Sequence, residues 1–371
     1  MRKVLVVAYY FPPVGGGGVQ RTLKAVKYLP TSGWQPIVLS ARPPARYPQD
    51  PSLTAEIPSQ TSVIRTRALL APGWLPWRIR HLVTRWLLLV DEQIGWLPFA
   101  VRQGQTMTRR GDISAIYTTS APITAHLIGL RLKRLTGLPW IADWRDPWIG
   151  NFSASFATPW HEQLAARLER QIVHAADRST VVSEPMRQAL LARHTDLAPE
   201  RVLTLPNGFD PSDFQGVQPL GQESGRMVIV YSGSFYGQRQ SPRPFLLGLD
   251  AALATDPNRR QTLRVRFVGN TGALTMRLVE ELGLGDVVKF TGYLPHRESI
   301  GHLLGADLLL VVIGDGPGSE AVFTGKIFEY LASGRPILAL TPAGAAADLL
   351  METGAATIVT PEDVPAIARQ I

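Results

Sequence analysis

The chain alternates, almost from end to end, between short apolar runs rich in β-branched residues and stretches of helical periodicity. "KVLVVAY" (Lys3–Tyr9), "PIVLS" (Pro36–Ser40), "SVIRT" (Ser62–Thr66), "DISAIYTTS" (Asp112–Ser120), "PWIADW" (Pro139–Trp144) and "STVVS" (Ser179–Ser183) read as strands, with helical patterns between most of them. Runs that are apolar on both faces and followed by helices suit a parallel sheet covered on both sides. The rhythm falters at "DPSDFQGVQPLGQESG" (Asp210–Gly225), which is polar and aperiodic. It resumes with "MVIVYSG" (Met227–Gly233), "LRVRFVG" (Leu263–Gly269), "DVVKFTG" (Asp286–Gly292), "ADLLLVV" (Ala306–Val312), "PILAL" (Pro336–Leu340) and "AATIV" (Ala355–Val359). The pattern predicts an α/β chain of two doubly wound domains, 1–209 and 226–371, joined by a linker over 210–225. "PEDVPAIARQI" stops inside a helical pattern, and we expect the natural second domain to continue beyond it.

The 371 residues suffice for two cores. There is no cysteine, which excludes disulfides, thiolate metal sites and a cysteine nucleophile. Net charge is +8, and 32 of the 38 basic residues are arginines. A basic chain favours anionic partners such as phosphorylated ligands or acidic membranes. No zinc-finger spacing, aromatic RNA-binding signature or compact basic arm is present, so no nucleic acid is expected. The apolar start carries no cleavage pattern and reads as a buried strand. No run of about 18 apolar residues occurs, so no spanning helix is expected. Tryptophans gather between Trp74 and Trp96 in a helical pattern, either a helix packed on the first domain or a surface that touches lipid.

Four stretches carry candidate chemistry. In "FTGKIFEYLASGRPI" (Phe323–Ile337) Thr324 suits an N-cap and Gly334 a C-terminal stop. Lys326 then falls in the first turn, where the helix dipole disfavours a cation by roughly 0.3–1 kcal/mol. An anion bound at the helix start would resolve that conflict. Glu329, three residues on, could accept from ribose hydroxyls, although the spacing equally suits a surface Lys–Glu pair. "FPPVGGGGVQR" (Phe11–Arg21) runs from strand to glycine loop to helix, and its glycines admit a ligand to the backbone. No acidic residue ends the second strand, which argues against a dinucleotide site. "YSGSFYGQRQ" (Tyr231–Gln240) repeats the strand-to-glycine-loop design with Arg239 in reach of a phosphate. "PWIADWRDPW" (Pro139–Trp148) ends a buried strand with Asp143, Arg145 and Asp146, which suits either a site or an internal Arg–Asp pair.

Together, "FPPVGGGGVQR", "SAPITAHLIGLRLKRLTGLPWIADWRDPW", "LPNGFDPSDF" and "GKIFEYLASGRPI" resemble the family 4 (group 1) glycosyltransferases across essentially the whole chain. The resemblance implies a GT-B fold, two Rossmann-like domains facing a central cleft, with the donor held mainly by the second. It implies a retaining reaction from a nucleotide sugar, with no bound metal or other cofactor. Glu329 matches the second glutamate of the Glu-x7-Glu motif, which binds the donor ribose; Ala321 stands at the first, beside Glu320. Lys326 and Arg239 resemble the diphosphate-binding cations. Gly16 and Gly17 match the N-terminal glycine loop that lines the donor–acceptor cleft, and together with Gly233, Glu320, Phe323 and Thr324 they are expected to bind the donor. Many members carry His-Asp after the strand at Ile141; here the pair is Arg145-Asp146. His126, after the preceding strand, is a substitute for that histidine or a plain helix-face residue.

The expected activity is therefore transfer of a hexosyl or N-acetylhexosaminyl group to an acceptor hydroxyl, with Arg239, Lys326, Arg145 and Asp146 at the reaction centre. The implied setting is assembly of cell-surface polysaccharide or glycolipid, from the cytoplasm, with peripheral attachment to the plasma membrane. A glycan or lipid-linked acceptor is the expected second substrate. A nucleotide-sugar epimerase or a non-catalytic binding protein on the same fold remain alternatives.

Overall fold

Strand residues in this chain point alternately to two faces, and both faces are apolar, so each sheet must be covered twice. A computed structural model shows this arrangement, describing residues 1–43, 47–69, 90–151, 156–235 and 240–371. The chain divides into two compact units, Met1–Pro206 and Asn207–Ile371.

In the first unit seven parallel strands run in the order β3-β2-β1-β4-β5-β6-β7. They are β1 (Arg2–Val7), β2 (Trp34–Ala41), β3 (Ser62–Thr66), β4 (Ile113–Thr119), β5 (Trp140–Trp144), β6 (Arg178–Val181) and β7 (Val202–Thr204). Helix α1 (Gly17–Tyr28) follows β1, α2 (Leu97–Thr108) precedes β4, and α3 (Thr124–Thr136) joins β4 to β5. Helix α4 (Pro159–Ala175) precedes β6, and α5 (Glu184–Arg193) follows it. The order reverses between β1 and β4, and their C-terminal ends define the sheet edge where ligands of such folds bind.

In the second unit six parallel strands run β10-β9-β8-β11-β12-β13. They are β8 (Met227–Ser232), β9 (Leu263–Val268), β10 (Val288–Gly292), β11 (Leu308–Val312), β12 (Ile337–Leu340) and β13 (Ala356–Val359). Ile229, Tyr231, Leu310, Leu338 and Leu340 feed one core, while Val228, Val230, Leu309, Val311 and Ile337 feed the opposite one. Asn207–Gly225 lies against this unit: Leu220 N–H donates to Gly301, and Glu223 pairs with Arg264 and Arg266.

All twelve strands expected from sequence pattern coincide with observed ones to within two residues at each end. The exception among the observed strands is β7, three residues long at the sheet's edge, which no periodicity marks. The tryptophan-rich pattern from Trp74 to Leu89 lies outside the described residues, apart from its flank. There Trp96 is fully buried, and its indole N–H donates to Thr66 Oγ1 at 2.7 Å, a core role rather than a surface one. No helix among the described residues is long and apolar enough to cross a membrane.

Candidate active site

The glycine loop after β1 is used unevenly. Gly16 has φ 97°, a backbone that favours glycine, and stands as the N-cap of α1 with no side chain capping it. Gly17 and Gly18 already belong to the helix, and a Cβ at either would meet nothing within 4 Å. Their lack of side chains leaves open space before free helical N–H groups rather than relieving a clash.

Beside this loop, Asp143 at the end of β5 is fully buried. It accepts from Arg21 Nε and Nη2 at 3.1 and 2.7 Å, from Thr119 Oγ1 at 2.9 Å and from Thr180 Oγ1 at 2.7 Å. Burial alone would push its carboxyl up; the Arg21 guanidinium and the two hydroxyls outweigh that and hold it below the usual carboxylate range. Arg21 also donates to the carbonyls of Leu205 and Pro206.

Arg145 does not pair with either neighbouring aspartate. Its guanidinium donates to the carbonyls of Ser120, Gly18 and, at 2.9 Å, Ala121. It thus ties the glycine loop to the loop after β4. Asp146 is exposed and makes no hydrogen bond or ion pair among the described residues. His126 is fully buried in the first turn of α3, with Nδ1 2.8 Å from Thr118 Oγ1 and its ring 4.3 Å from that of Trp144. Burial pushes its pKa down to about 3, so it is neutral and packed.

In the second unit, helix α6 (Arg243–Thr255) follows β8, α7 (Ala273–Glu281) follows β9, α8 (His296–Leu304) follows β10, and α9 (Lys326–Ser333) precedes β12. Thr324 is not the cap of α9: Gly325 occupies that position, no side chain caps the helix, and Thr324 contributes only its carbonyl, to Ile327 N–H. Gly334 closes the helix at φ 68°. Tyr330 is fully buried, and its hydroxyl accepts from Ser232 N–H at 2.7 Å, which docks α9 on the end of β8. One turn earlier, Lys326 consequently lies over the same strand end. Its ammonium donates to Tyr231 Oη at 2.8 Å and sits 4.1 Å from the centre of that ring.

Gly233 makes room for this contact, since a Cβ there would lie 2.8 Å from Lys326 Nζ. Part of the lysine remains accessible, but protein surrounds its ammonium, and burial pushes its pKa down to about 7 against the opposing charge of Glu329. Among the described residues Lys326 has no carboxylate within ion-pair distance. The surface Lys326–Glu329 pair that the spacing allowed is not formed. Instead Glu329 Oε1 lies 2.9 Å from His296 Nε2, and His296 Nδ1 lies 4.0 Å from Asp213 Oδ2. A carboxylate only accepts, so His296 carries its proton toward Glu329.

Lys326, Gly233 and Glu329 are thus brought together, with Tyr231 and His296 as partners that no sequence signal marked. Phe323 leads into α9, its ring 5.3 Å from that of Phe328 and its carbonyl bound by Asn207. Glu320 lies on a short turn, exposed and with no side-chain partner among the described residues. Its backbone rests against Gly344, where a Cβ would come within 2.5 Å. Arg239 lies outside the described residues.

Two family models match the chain: the glycosyl transferase 4-like domain over residues 16–208 and glycosyl transferases group 1 over residues 226–371. No curated protein matches it. Among solved structures it is similar to sucrose-phosphate synthase from Thermosynechococcus elongatus, at 19% identity and TM-score 0.71, covering all of this chain and 88% of that one. It is similar to Anabaena Alr3699/HepE in complex with UDP and glucose, at 19% and 0.63, covering 100% and 89%. A UDP-forming α,α-trehalose-phosphate synthase from Burkholderia vietnamiensis aligns at 14% and 0.65, covering 100% and 90%. At these identities the likeness is one of fold, the GT-B fold of two Rossmann-like domains.

Proposed function

The chain belongs to the group 1 glycosyltransferases, with a glycosyl transferase 4-like domain ahead of the group 1 domain, and on that premise we propose that it is a retaining enzyme whose donor is a nucleoside-diphosphate sugar held at the start of α9. The observation that carries this reading is Lys326: an enclosed ammonium at an uncapped helix N-terminus, bound to one neutral hydroxyl and to no carboxylate among the described residues. A diphosphate supplies the missing charge to the lysine and to the free N–H groups together. The Anabaena protein, solved in complex with UDP and glucose, supports the same ligand class.

In the reaction, the bond from the anomeric carbon to the diphosphate breaks as the acceptor oxygen bonds to the same face. The acceptor proton passes to the departing phosphate oxygen. Lys326, the α9 N-terminus and Arg239 stabilise the charge that develops on the leaving group, the task a metal ion performs in other transferases. Glu329 accepts from the ribose hydroxyls, with Gly16, Gly17, Gly233, Phe323, Thr324 and Glu320 as the other donor-binding residues. Asp146 is the exposed carboxylate left for the sugar or acceptor, while Arg145 positions the glycine loop. The transferred group is hexosyl or N-acetylhexosaminyl, the acceptor a glycan or lipid-linked glycan, and the setting the cytoplasmic face of a membrane.

A mass-spectrometric screen of nucleotide sugars, with and without glycan acceptors and with a strong chelator, tests this. We expect slow donor hydrolysis or transfer that survives the chelator. Loss of activity with rescue by manganese or magnesium would overturn metal independence. Conversion of the donor with no acceptor and no released sugar would reassign the chain to epimerisation.

A further inference from the structure

Within "LPNGFDPSDF", the residues from Asn207 onward belong to the second unit and meet α9 and its surroundings at three points. Asn207 Nδ2 donates to the Phe323 carbonyl at 3.0 Å, and its carboxamide lies over the helix cap, where a Cβ built on Gly325 would be 3.8 Å from Asn207 Cγ. Buried Asp210 caps the turn Pro211–Asp213, accepting from Ser212 N–H and Oγ at 3.0 and 2.8 Å. That turn sets Asp213 Oδ2 4.0 Å from His296 Nδ1, the ring nitrogen that does not face Glu329. Phe214 packs against the apolar cluster that includes Ile327 and Tyr330 of α9.

The Asn207 tie acts on a row of unpaired donors. The backbone N–H groups of Thr324, Gly325 and Lys326 find no acceptor among the described residues. The Phe323 carbonyl and the Thr324 N–H belong to one planar trans peptide, so they point opposite ways. Whatever holds that carbonyl therefore aims that N–H. Successive N–H groups cradle an anion only while their peptide planes are fixed. A segment that merely covered the core would need Phe214 but not an amide on the peptide ahead of an uncapped helix.

We propose that Asn207 is the positioning residue of the diphosphate site, aiming the Thr324 N–H by holding the Phe323 carbonyl, and that Asp213 steadies the ribose contact of Glu329 through His296. The proposal rests on the donor site placed above at the start of α9, and gives the stretch after Pro206 a task in it.

Calorimetric titration of the full chain with UDP, GDP and ADP finds the base, and the 2′,3′-dideoxy form of that diphosphate separates the two roles. Asn207→Ala should weaken both forms by about tenfold, the loss of one hydrogen bond. Asn207→Asp keeps the shape but sets a carboxylate against a carbonyl, and should weaken both by about a hundredfold. Asp213→Ala should weaken only the form with ribose hydroxyls, by about threefold, because it acts through His296. In a His296→Ala background it should add nothing. Thermal melts confirm folding, and Asn207→Ser, too short to reach the carbonyl, replaces an alanine variant that does not fold. General damage to α9 would weaken both ligands alike in the Asn207 and Asp213 variants, and that result overturns the proposal. Wild-type affinity in Asn207→Ala or Asn207→Ser overturns it too, with the donor site left standing. A wild type that binds none of the three diphosphates would instead remove the donor site, and the proposal with it.

Discussion

Asp143 and Lys326 are both enclosed charges at the C-terminal side of a parallel sheet, one in each unit. Asp143 accepts four hydrogen bonds, two of them from a guanidinium. Among the described residues Lys326 makes one, to a neutral phenol. A carboxylate is held below its usual range only when the surroundings more than replace its lost hydration, and an ammonium is driven down to about 7 only when they do not. The first charge belongs to the fold. The second is left short by the fold, and the diphosphate proposed above is what would complete it. Arg145 follows the logic of Asp143, since its three carbonyl partners are all internal. Charge at a strand end is therefore a poor guide to function, and charge without protein partners a better one.

The contrast breaks most visibly at Asp143. Asp143→Asn leaves the Arg21 guanidinium, itself only 12% exposed, without its carboxylate. Removing one partner of a buried pair costs about 3–5 kcal/mol, or roughly 6–20 °C in the melting of a unit this size. Because the carboxyl is depressed in the folded state, its stabilisation is full above its ordinary value and is lost as pH falls through the lowered one. Calorimetry between pH 7 and 3 checks both points. A variant that melts normally but fails to bind donor would invert the assignment.

Lys326→Met should do the reverse. The thioether stem still packs on Tyr231, the charge is gone, and the melt should stay level or rise as the dipole repulsion of roughly 0.3–1 kcal/mol disappears. Nucleoside diphosphate affinity should fall by about a hundredfold, near 2.7 kcal/mol. pH sharpens the test. The unfolded lysine stays charged to about 10.5, whereas the folded one releases its proton near 7, so the free protein gains stability with rising pH between those values. A bound diphosphate raises the folded value, so binding takes up a proton and weakens as pH climbs above about 7. Lys326→Met should bind without that slope. A slope unchanged in the variant would place the titration elsewhere.

The sequence showed the architecture because both sheets are parallel and doubly covered, which writes each strand as a continuous apolar run. β7 escaped because three residues at a sheet edge carry no period. The site was legible only as far as local signals reach. Lys326, Glu329 and Gly233 stood out from helix and loop context. Their partners Tyr231 and His296 lie 95 and 33 residues away and carry no local signal of their own. Arg145 is ambiguous in sequence for a related reason: backbone carbonyls are the same in every sequence, so an arginine that binds three of them reads like one awaiting a ligand. Thr324 looked like a cap by composition, but the chain begins the helix one residue later, leaving the N-terminus open.

The smallest effect expected is at His296, and it bears on whether Glu329 resembles Lys326 or Asp143. Among the described residues Glu329 has one histidine on one oxygen, which leaves the second oxygen for the proposed ribose contact. If His296 only steadies the carboxylate, His296→Ala should weaken donor binding by about threefold to tenfold, while His296→Gln, whose amide still donates, should restore most of it. Glu329→Gln should cost more, on the order of tenfold to a hundredfold, because charge-assisted hydrogen bonds to hydroxyls contribute roughly 1.5–3 kcal/mol each. In a Glu329→Gln background, His296→Ala should add almost nothing, since residues acting through one contact are not additive. A nucleotide lacking both ribose hydroxyls gives a second check: it should bind the wild type and His296→Ala alike. Losses that simply add, or that persist with that analogue, would mean the His296–Glu329 pair is an internal tie like Arg21–Asp143. The ribose would then need another acceptor, and Glu320, the exposed carboxylate beside Gly344, would be the next residue to replace.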